Sequence, residues 1–305
     1  MSTRAVLVLA ALGCIWGASF LFIKVIVEET SPFTLVAGRL TLGALPLLVI
    51  IALHRPAIVE RRSILPKTLF TAVFATALPF LMISWGEEHI DSGIAAVLNS
   101  TVPLWTALLT AALLSHERLA GRELAGVALG FVGVLVVTGS DITHIGDSDM
   151  LGQLAVVGAA LSYAVALVYA RAKLAEEDPV MVATLQVAMG ALIMWPVAFA
   201  AARGTPDIDV STKAWLSWVT LGMLGTGIAY IGYYWLIASV GVLASTVTYI
   251  PPVIGLALGA VVLDEAIGLN VVVGAAIIIV GVMLLAGRLG FVARAIRVLQ
   301  PQERL

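Results

Sequence analysis

Two basic side chains lie inside long apolar segments of this 305-residue chain. Lys24 is about three residues from the end of the first apolar run, and Arg39 is six residues into the second. A charge at the bilayer centre costs about 2.5–3.5 kcal/mol on insertion scales, so such a side chain usually faces protein, water or a ligand. The planar fork of Arg39 suits a carboxylate. The structural alternatives are that Lys24 extends its amine to the membrane surface and that Arg39 pairs with Glu28, Glu29 or a backbone carbonyl.

Prolines preceded by polar residues form a second group of candidates. Asn99, Ser100 and Thr101 precede Pro103, and later in the chain Thr246, Thr248 and Tyr249 precede Pro251 and Pro252. Proline interrupts the helical hydrogen-bond ladder and frees a carbonyl four residues earlier. Those carbonyls would be the ones of Asn99 and Val247. Exposed backbone at membrane depth is tolerated where protein or a water-filled cavity receives it. We therefore expect two kinked helices, at Pro103 and at Pro251–Pro252, that frame a central site. The alternative is ordinary kinks satisfied by Ser and Thr.

Aromatic side chains complete the candidate site. Amphipathic rings suit a mostly apolar pocket with few polar anchors. The alternative for aromatics at the ends of apolar runs is an interfacial belt, which fits Trp195, Trp215 and Trp218 and also suits Trp85. Gln186 adds a neutral hydrogen-bonding group. The predicted substrate-binding residues are Trp16, Phe20, Lys24, Arg39, Trp85, Asn99, Ser100, Trp105, Tyr163, Gln186, Tyr233 and Tyr249.

An internal repeat relates many of these residues. The run Ala96–Gly139 matches Ala244–Gly287 without a gap, at an offset that superposes Pro103 on Pro251 and Glu117 on Glu265. A second match superposes Trp16 on Tyr163, Lys24 on Arg171, Pro32 on Pro179 and Arg39 on Gln186. Internally repeated membrane units are typical of transporters, whose substrate site lies near mid-membrane where the halves meet.

Composition requires a membrane. The chain is 61% apolar and only 12% charged, with a mean hydropathy of +1.06, whereas soluble domains are about 25% charged. Roughly 20 apolar residues cross the hydrocarbon core. The ten predicted spans are Ala5–Val27, Phe33–Leu53, Thr68–Gly86, Gly93–Leu114, Ala120–Gly139, Leu151–Ala170, Val180–Ala202, Trp215–Ser239, Val242–Leu263 and Ile267–Gly287. The lipid bilayer is thus one partner, and no basic run suggests nucleic acid.

Basic residues set the predicted orientation. With the N-terminus inside, thirteen Lys and Arg fall in cytoplasmic segments, and only Arg203 and Lys213 fall in external ones. This asymmetry predicts a multi-pass protein of the plasma (cell inner) membrane with both termini cytoplasmic.

Five spans per half is an odd number, so the second half would enter the membrane from the opposite side. We therefore predict inverted repeats related by a pseudo-two-fold axis in the membrane plane. The predicted organisation is a first five-helix repeat at 1–139, an external linker loop at 140–149, a second five-helix repeat at 150–290 and a cytoplasmic tail at 291–305.

These residues resemble the EamA-type branch of the drug/metabolite transporter superfamily. The resemblance covers nearly the whole chain and rests on several short pieces in order. They are the run Trp16 to Phe20 with Lys24, Pro32 with Arg39, the run Leu98 to Pro103, Glu117-Arg118-Leu119, and the spaced glycines through Gly139. The resemblance implies ten helices in two inverted five-helix bundles that move small metabolites, often outward, through a central cavity. Two departures from the family pattern are His116 before Glu117 and the sequence Asp264-Glu265-Ala266-Ile267 in the second copy.

Glycines predict close packing of helices. Gly126, Gly130 and Gly133 form a small-residue face on the fifth span, and Gly274 and Gly281 repeat part of it on the tenth. Such faces allow close helix approach. The packing is either within the chain or between two chains, so a homodimer is one alternative.

The function expected is transport of small metabolites, amino acids or related compounds, by alternating access, with export one direction. A passive channel and an intramembrane enzyme are the alternatives. All four histidines fall in loops or at span ends, and neither a zinc-binding HExxH nor a phosphate-binding glycine loop is present. We therefore expect no enzymatic activity, no metal and no cofactor. Carboxylates also fall in loops or at span ends, and Glu117 and Glu265, which are close to span ends, are the main exceptions. This pattern favours a facilitator or exchanger over a proton-driven carrier.

Overall fold

A computed structural model of the chain describes residues 2–54, 64–113, 119, 121–139 and 148–299. Several residues used in the sequence argument lie outside this part. They are Arg55, Arg61, Arg62, His116, Glu117, Arg118, His144 and most of the predicted linker loop, at 140–147.

Helices are the only regular secondary structure in the described part of the chain, which has no strands. Nine of its segments are long and apolar enough to cross a membrane, and the last helix contributes a further apolar stretch, Leu269–Leu285. We call these segments spans 1 to 10. Spans 1 to 5 consist of Thr3–Val27 (span 1), Pro32–His54 (span 2), Ile64–Ala72 with Val73–Ala77 and Leu78–Gly86 (span 3), Ser92–Asn99 with Val102–Leu113 (span 4) and Gly121–Thr138 (span 5). Spans 6 to 10 consist of Ser148–Lys173 (span 6), Pro179–Ala202 (span 7), Thr212–Val219 with Thr220–Ile228 and Ala229–Val240 (span 8), Gly241–Tyr249 with Pro251–Val262 (span 9) and Leu269–Leu299 (span 10). The prediction of an all-α polytopic membrane protein is confirmed.

Spans 4 and 9 are broken where kinks were predicted. In span 4 one helix ends at Asn99 and the next begins at Val102. In span 9 a 3-10 helix ends at Tyr249, and an α-helix begins at Pro251. Proline fits the first turn of a helix because its missing N–H has no partner there in any case. The prolines therefore lie in the first turn of a new helix, at the two positions where kinks were predicted. The Val247 carbonyl is not free, since it accepts a bond from the Ile250 N–H at 3.2 Å.

Spans 3 and 8 each contain a π-helical segment, Val73–Ala77 in span 3 and Thr220–Ile228 in span 8. The two segments overlap when the halves are aligned at the offset of the repeat, and no sequence pattern indicated them. A π-helical turn widens the helix and occurs frequently at functional sites.

The glycine faces of spans 5 and 10 pack against each other within the chain. A Cβ added to Gly126 would lie 2.7 Å from the carbonyl oxygen of Gly281, and one added to Gly133 would lie 2.8 Å from that of Gly274. Gly126 corresponds to Gly274 in the repeat, and Gly133 to Gly281, so the two contacts are reciprocal. The predicted close approach of helices is thus met inside a single chain.

Trp218 departs from its predicted place in an interfacial belt. Its side chain is 1% exposed, its ring fills the space left by Gly38, and its Nε1 donates to the Leu35 carbonyl at 2.9 Å. Trp195 likewise donates from Nε1 to Thr41 Oγ1 at 2.9 Å. Both indoles find protein partners, and Trp218 is buried, whereas Trp195 is only partly buried.

Candidate functional site

A central cavity of about 300 Å³ lies between the two halves. Side chains from spans 1, 2, 3, 4, 6, 7, 8 and 9 line it. Spans 3 and 8 are the two that carry the π-helical segments. The cavity size falls at the small end of the range for small-molecule sites.

Arg39 is the only charged side chain among the described residues that line this cavity. Its side chain is 5% exposed. Nε donates to Thr226 Oγ1 at 3.1 Å, and the guanidinium carbon lies 3.7 Å from the centre of the Phe80 ring. Neither Glu28 nor Glu29 is its partner. The contact with Phe80 is a cation–π interaction, and it leaves the positive charge of Arg39 without a carboxylate in the cavity.

The π-helical turn of span 8 orients the Thr226 hydroxyl that accepts the hydrogen bond from Arg39. Thr226 Oγ1 donates its own proton to the Leu221 carbonyl, five residues earlier, at 3.2 Å. Its lone pairs then face Arg39. The hydroxyl therefore fixes the rotation of the guanidinium, and the widened turn supplies the carbonyl that orients the hydroxyl.

Aromatic rings form much of the remaining wall. Trp16 meets Tyr233 edge-on, with ring centres 5.2 Å apart, and Phe80 meets Tyr163 edge-on at 6.4 Å. Tyr234 also lines the cavity. The site thus combines a broad apolar surface with phenol hydroxyls and one fixed cation, which suits an amphipathic solute.

Two amides add polar anchors. The Asn99 Oδ1 atom is buried and has no hydrogen-bond partner among the described residues, and it belongs to the cavity wall. Gln186 lies against the Tyr230 hydroxyl. Ser100 also lines the cavity, but its hydroxyl donates to the Val97 carbonyl at 2.6 Å. A buried acceptor without a donor is costly, so Asn99 is the anchor most open to a ligand.

The structure therefore brings most predicted site residues together. Those at the cavity are Trp16, Phe20, Arg39, Asn99, Ser100, Tyr163, Gln186 and Tyr233, with Pro103 and Pro251 at the broken spans.

Five predicted residues do not line the cavity. Lys24 donates to the carbonyls of Glu87 and Ile90, at 2.7 and 3.1 Å. Trp85 packs on His89, and Trp105 on Phe131 of span 5. Tyr249 donates to the Val282 carbonyl of span 10 at 3.4 Å, and Pro252 is buried beside Pro251, which alone of the pair faces the cavity. Depth along a helix was visible in the sequence, whereas the direction of each side chain around its helix was not.

Phe80, Thr226 and Tyr230 belong to the site but were not among the residues predicted for it. Phe80 and Thr226 lie in or next to the π-helical turns, whose register differs from that of an α-helix. Tyr230 and Tyr234 are close in sequence to the predicted Tyr233, and this spacing is the signal that could have identified Tyr230.

Charged contacts join the ends of several spans on the side predicted to be external. Glu265, which follows span 9, accepts from the backbone N–H groups of Ser92 and Gly93 at 2.7 and 3.0 Å, at the start of span 4. Glu29 accepts from the Ser211 hydroxyl and N–H, both at 2.6 Å, and these bonds lower the pKa of the Glu29 carboxyl. This end of the bundle is therefore held together by polar contacts. Among the residues that the structure describes, no group of three or more His, Cys, Asp or Glu could hold a metal ion.

Comparison with known families decides the assignment of the fold. The model of the EamA-like transporter family matches residues 3–139 and again residues 150–287. The chain belongs to the EamA-like transporter family. It is a multi-pass membrane transporter of the EamA type.

Relatives and a solved structure agree with this membership. The uncharacterized transporter YoaV of Bacillus subtilis is 25% identical over 271 residues, which cover 88% of this chain and 92% of that protein. A probable terminal-alkyne amino-acid exporter of Streptantibioticus cattleyicolor is 27% identical, with 94% of each chain covered. The uncharacterized inner membrane transporter YedA of Escherichia coli is 24% identical over 258 residues, 82% of this chain and 80% of that protein. A crystal structure at 21% identity shares the fold, with a TM-score of 0.66 over 95% of this chain and 99% of that one.

Proposed function

We propose that this EamA-type protein moves small carboxylate-bearing metabolites, amino acids or related compounds, by alternating access through the central cavity. The observation that carries the proposal is Arg39, a buried cation with no acid among the described residues of the cavity wall. A substrate carboxylate would receive the free N–H groups of the guanidinium in a bidentate pair. The aromatic walls would hold an apolar side chain.

The name of the Streptantibioticus cattleyicolor relative supports the amino-acid class and the outward direction. The reciprocal glycine contacts of spans 5 and 10 support the inverted relation of the halves, because a two-fold axis exchanges i with j in this way. Two related halves allow two equivalent arrangements, one open to each side. We place the protein in the cell inner membrane with both termini in the cytoplasm.

The first experiment identifies ligands by binding alone and requires no assumption about the driving force of transport. Purified protein is heated with phenylalanine, propargylglycine as a terminal-alkyne amino acid, their decarboxylated amines, and neutral amides. Ligands stabilise the folded state that binds them, so we expect the carboxylates to raise the unfolding temperature and the amines to leave it unchanged. Stabilisation by the amines alone would contradict the role of Arg39.

The second experiment separates transport from the alternatives. In proteoliposomes loaded with unlabelled ligand, labelled ligand should enter faster than in empty vesicles and should saturate with concentration. A passive channel would give uptake that does not saturate and is not accelerated by internal ligand, and an enzyme would convert the label into a product. Either outcome would replace the proposal.

A further inference from the structure

Glu87, the residue that follows span 3, has no exposed surface. Both of its carboxylate oxygens are buried and lack a hydrogen-bond partner among the described residues. An ionised carboxylate in such a position loses its hydration without compensation, and the usual outcome is that the group holds a proton. Burial accordingly raises the pKa of the Glu87 carboxyl well above its usual range, against the opposing effect of Lys24.

Glu87 also stands next to the cavity. Its backbone N–H donates to the Ile83 carbonyl at 2.9 Å, so the two residues are one helical turn apart and share a face. Ile83 lines the cavity, and so does Phe80, three residues earlier on the same helix. The carboxyl group therefore lies one turn beyond the cavity, between the cavity and the end of the bundle that is closed by polar contacts.

The charged neighbours of Glu87 come from three other segments. Lys24 from span 1 and Arg39 from span 2 favour its ionised form, and Glu265 from after span 9 disfavours it. Lys24 does not form a direct pair with the carboxylate, because its amine bonds instead to the backbone carbonyls of Glu87 and Ile90. Binding of an anion at Arg39, or separation of Glu265 from span 4, would change the field at Glu87.

The remaining titratable groups at this end of the bundle have a weaker effect on the charge state of the Glu87 carboxyl. On the same loop Glu88 is exposed, the His89 ring packs on Trp85, and Asp91 is partly exposed. Span 6, which packs along span 3, presents Asp149 at this end, with an exposed side chain, and Tyr163 in the cavity.

We propose that Glu87 is a proton-binding site that couples transport through the cavity to a proton gradient. One proton adds to the carboxylate when the site communicates with one side of the membrane and leaves to water when it communicates with the other. Burial without a donor would hold the proton during the exchange between the two arrangements, as carboxylates do in proton-driven carriers. A proton-coupled carrier differs from the facilitator or exchanger expected from the sequence, an expectation that followed from placing every carboxylate in a loop or at a span end. The coupling rests on the proposed function, whereas the proton binding does not.

Proton binding is tested on purified protein without any substrate. Infrared spectra of the wild type at neutral pH should show the carbonyl-stretch band of a protonated carboxyl group that lacks hydrogen bonds. The band should disappear in Glu87→Gln and persist in the matched control Glu88→Gln, one residue further on and exposed. An unchanged band in Glu87→Gln would overturn the proposal.

Coupling is tested in proteoliposomes with labelled phenylalanine and propargylglycine. With equal ligand on both sides, an imposed pH gradient should drive accumulation by the wild type and by Glu88→Gln. Glu87→Gln should keep exchange but hold an accumulation ratio of one, and Glu87→Asp, which restores a carboxyl, should regain part of the accumulation. Gradient-driven accumulation by Glu87→Gln equal to that of the wild type would refute the coupling. If neither the wild type nor any variant transports either ligand, the proposed substrate class is wrong. The infrared result would still decide whether Glu87 binds a proton.

Discussion

At the residue scale, Arg39 shows what a sequence can and cannot predict. A lone arginine inside an apolar run is a strong signal, because its burial is costly and it keeps its charge. Its partners Thr226 and Phe80 could not be predicted, since they come from spans 8 and 3. Which residues of those spans face inward depends on the π-helical turns. No pattern in the sequence indicates where such turns occur.

Replacement of Arg39 should abolish carboxylate recognition. In Arg39→Ala the exchange of labelled phenylalanine should fall at least about tenfold, because one hydrogen bond to a charged group contributes about 1.5–3 kcal/mol. Arg39→Lys should recover only part of the rate, since an ammonium cannot form the planar two-donor pair. Each variant is first tested for folding by size-exclusion chromatography. Arg39→Ala that folds and exchanges at the native rate would show that the residue is neither anchor nor gate.

Thr226→Val tests the orientation of the guanidinium separately from its charge. This change removes the Oγ1 that accepts from Arg39 Nε and leaves the side chain nearly the same size. We expect weaker ligand affinity, seen as a smaller thermal shift with phenylalanine, and a smaller loss than in Arg39→Ala. A thermal shift equal to that of the wild type would assign Thr226 a purely structural role in span 8.

At the element scale, the positions of the spans were predictable, and their internal breaks were not. Apolar length and charged flanks give each span within a few residues, because the bilayer fixes how much chain must be apolar. The prolines marked spans 4 and 9 correctly as interrupted. They did not reveal that Pro103 and Pro251 lie in the first turn of separate helices, since the same residue fits a kink and a first turn.

The contact between spans 5 and 10 predicts a position-specific effect of added methyl groups. Gly126→Ala would place a Cβ 2.7 Å from the Gly281 backbone oxygen, and overpacking of this kind costs about 1–3 kcal/mol. The unfolding temperature in detergent should fall. Gly121→Ala on the same helix is the matched control, because nothing lies within 4 Å of its added Cβ. Equal stability of the two variants would mean that spans 5 and 10 do not approach as closely as described.

At the scale of the whole molecule, the distribution of basic residues predicts the orientation. The native Cys14 is first replaced by Ser, because it is a free, exposed cysteine. In that background a cysteine introduced at the exposed residue Gly204 should react with a membrane-impermeant maleimide added to intact cells. One introduced at the exposed residue Lys173 should react only after permeabilisation. The reverse pattern would place both termini on the outside and would contradict the positive-inside argument.

The closed end of the bundle carries the last prediction. Glu265 is a link between span 9 and the start of span 4, through the N–H groups of Ser92 and Gly93. A hydrogen bond to a charged group contributes about 1.5–3 kcal/mol, so even one of these two bonds corresponds to about tenfold or more in the equilibrium between closed and open arrangements. Glu265→Ala should therefore favour the arrangement that is open at this end.

The measurement is the labelling rate of Ser92→Cys in the Cys14→Ser background, with an impermeant maleimide added from outside. We expect Glu265→Ala to raise that rate about tenfold, because the start of span 4 loses its link and separates from span 9. Asp264→Asn is the control, since it changes the neighbouring charge and Asn tolerates the positive φ found at this position. If Glu265→Ala leaves the rate at the control value, the polar contacts at this end do not hold it closed. The exchange between arrangements would then have to be governed by the packing of the spans alone.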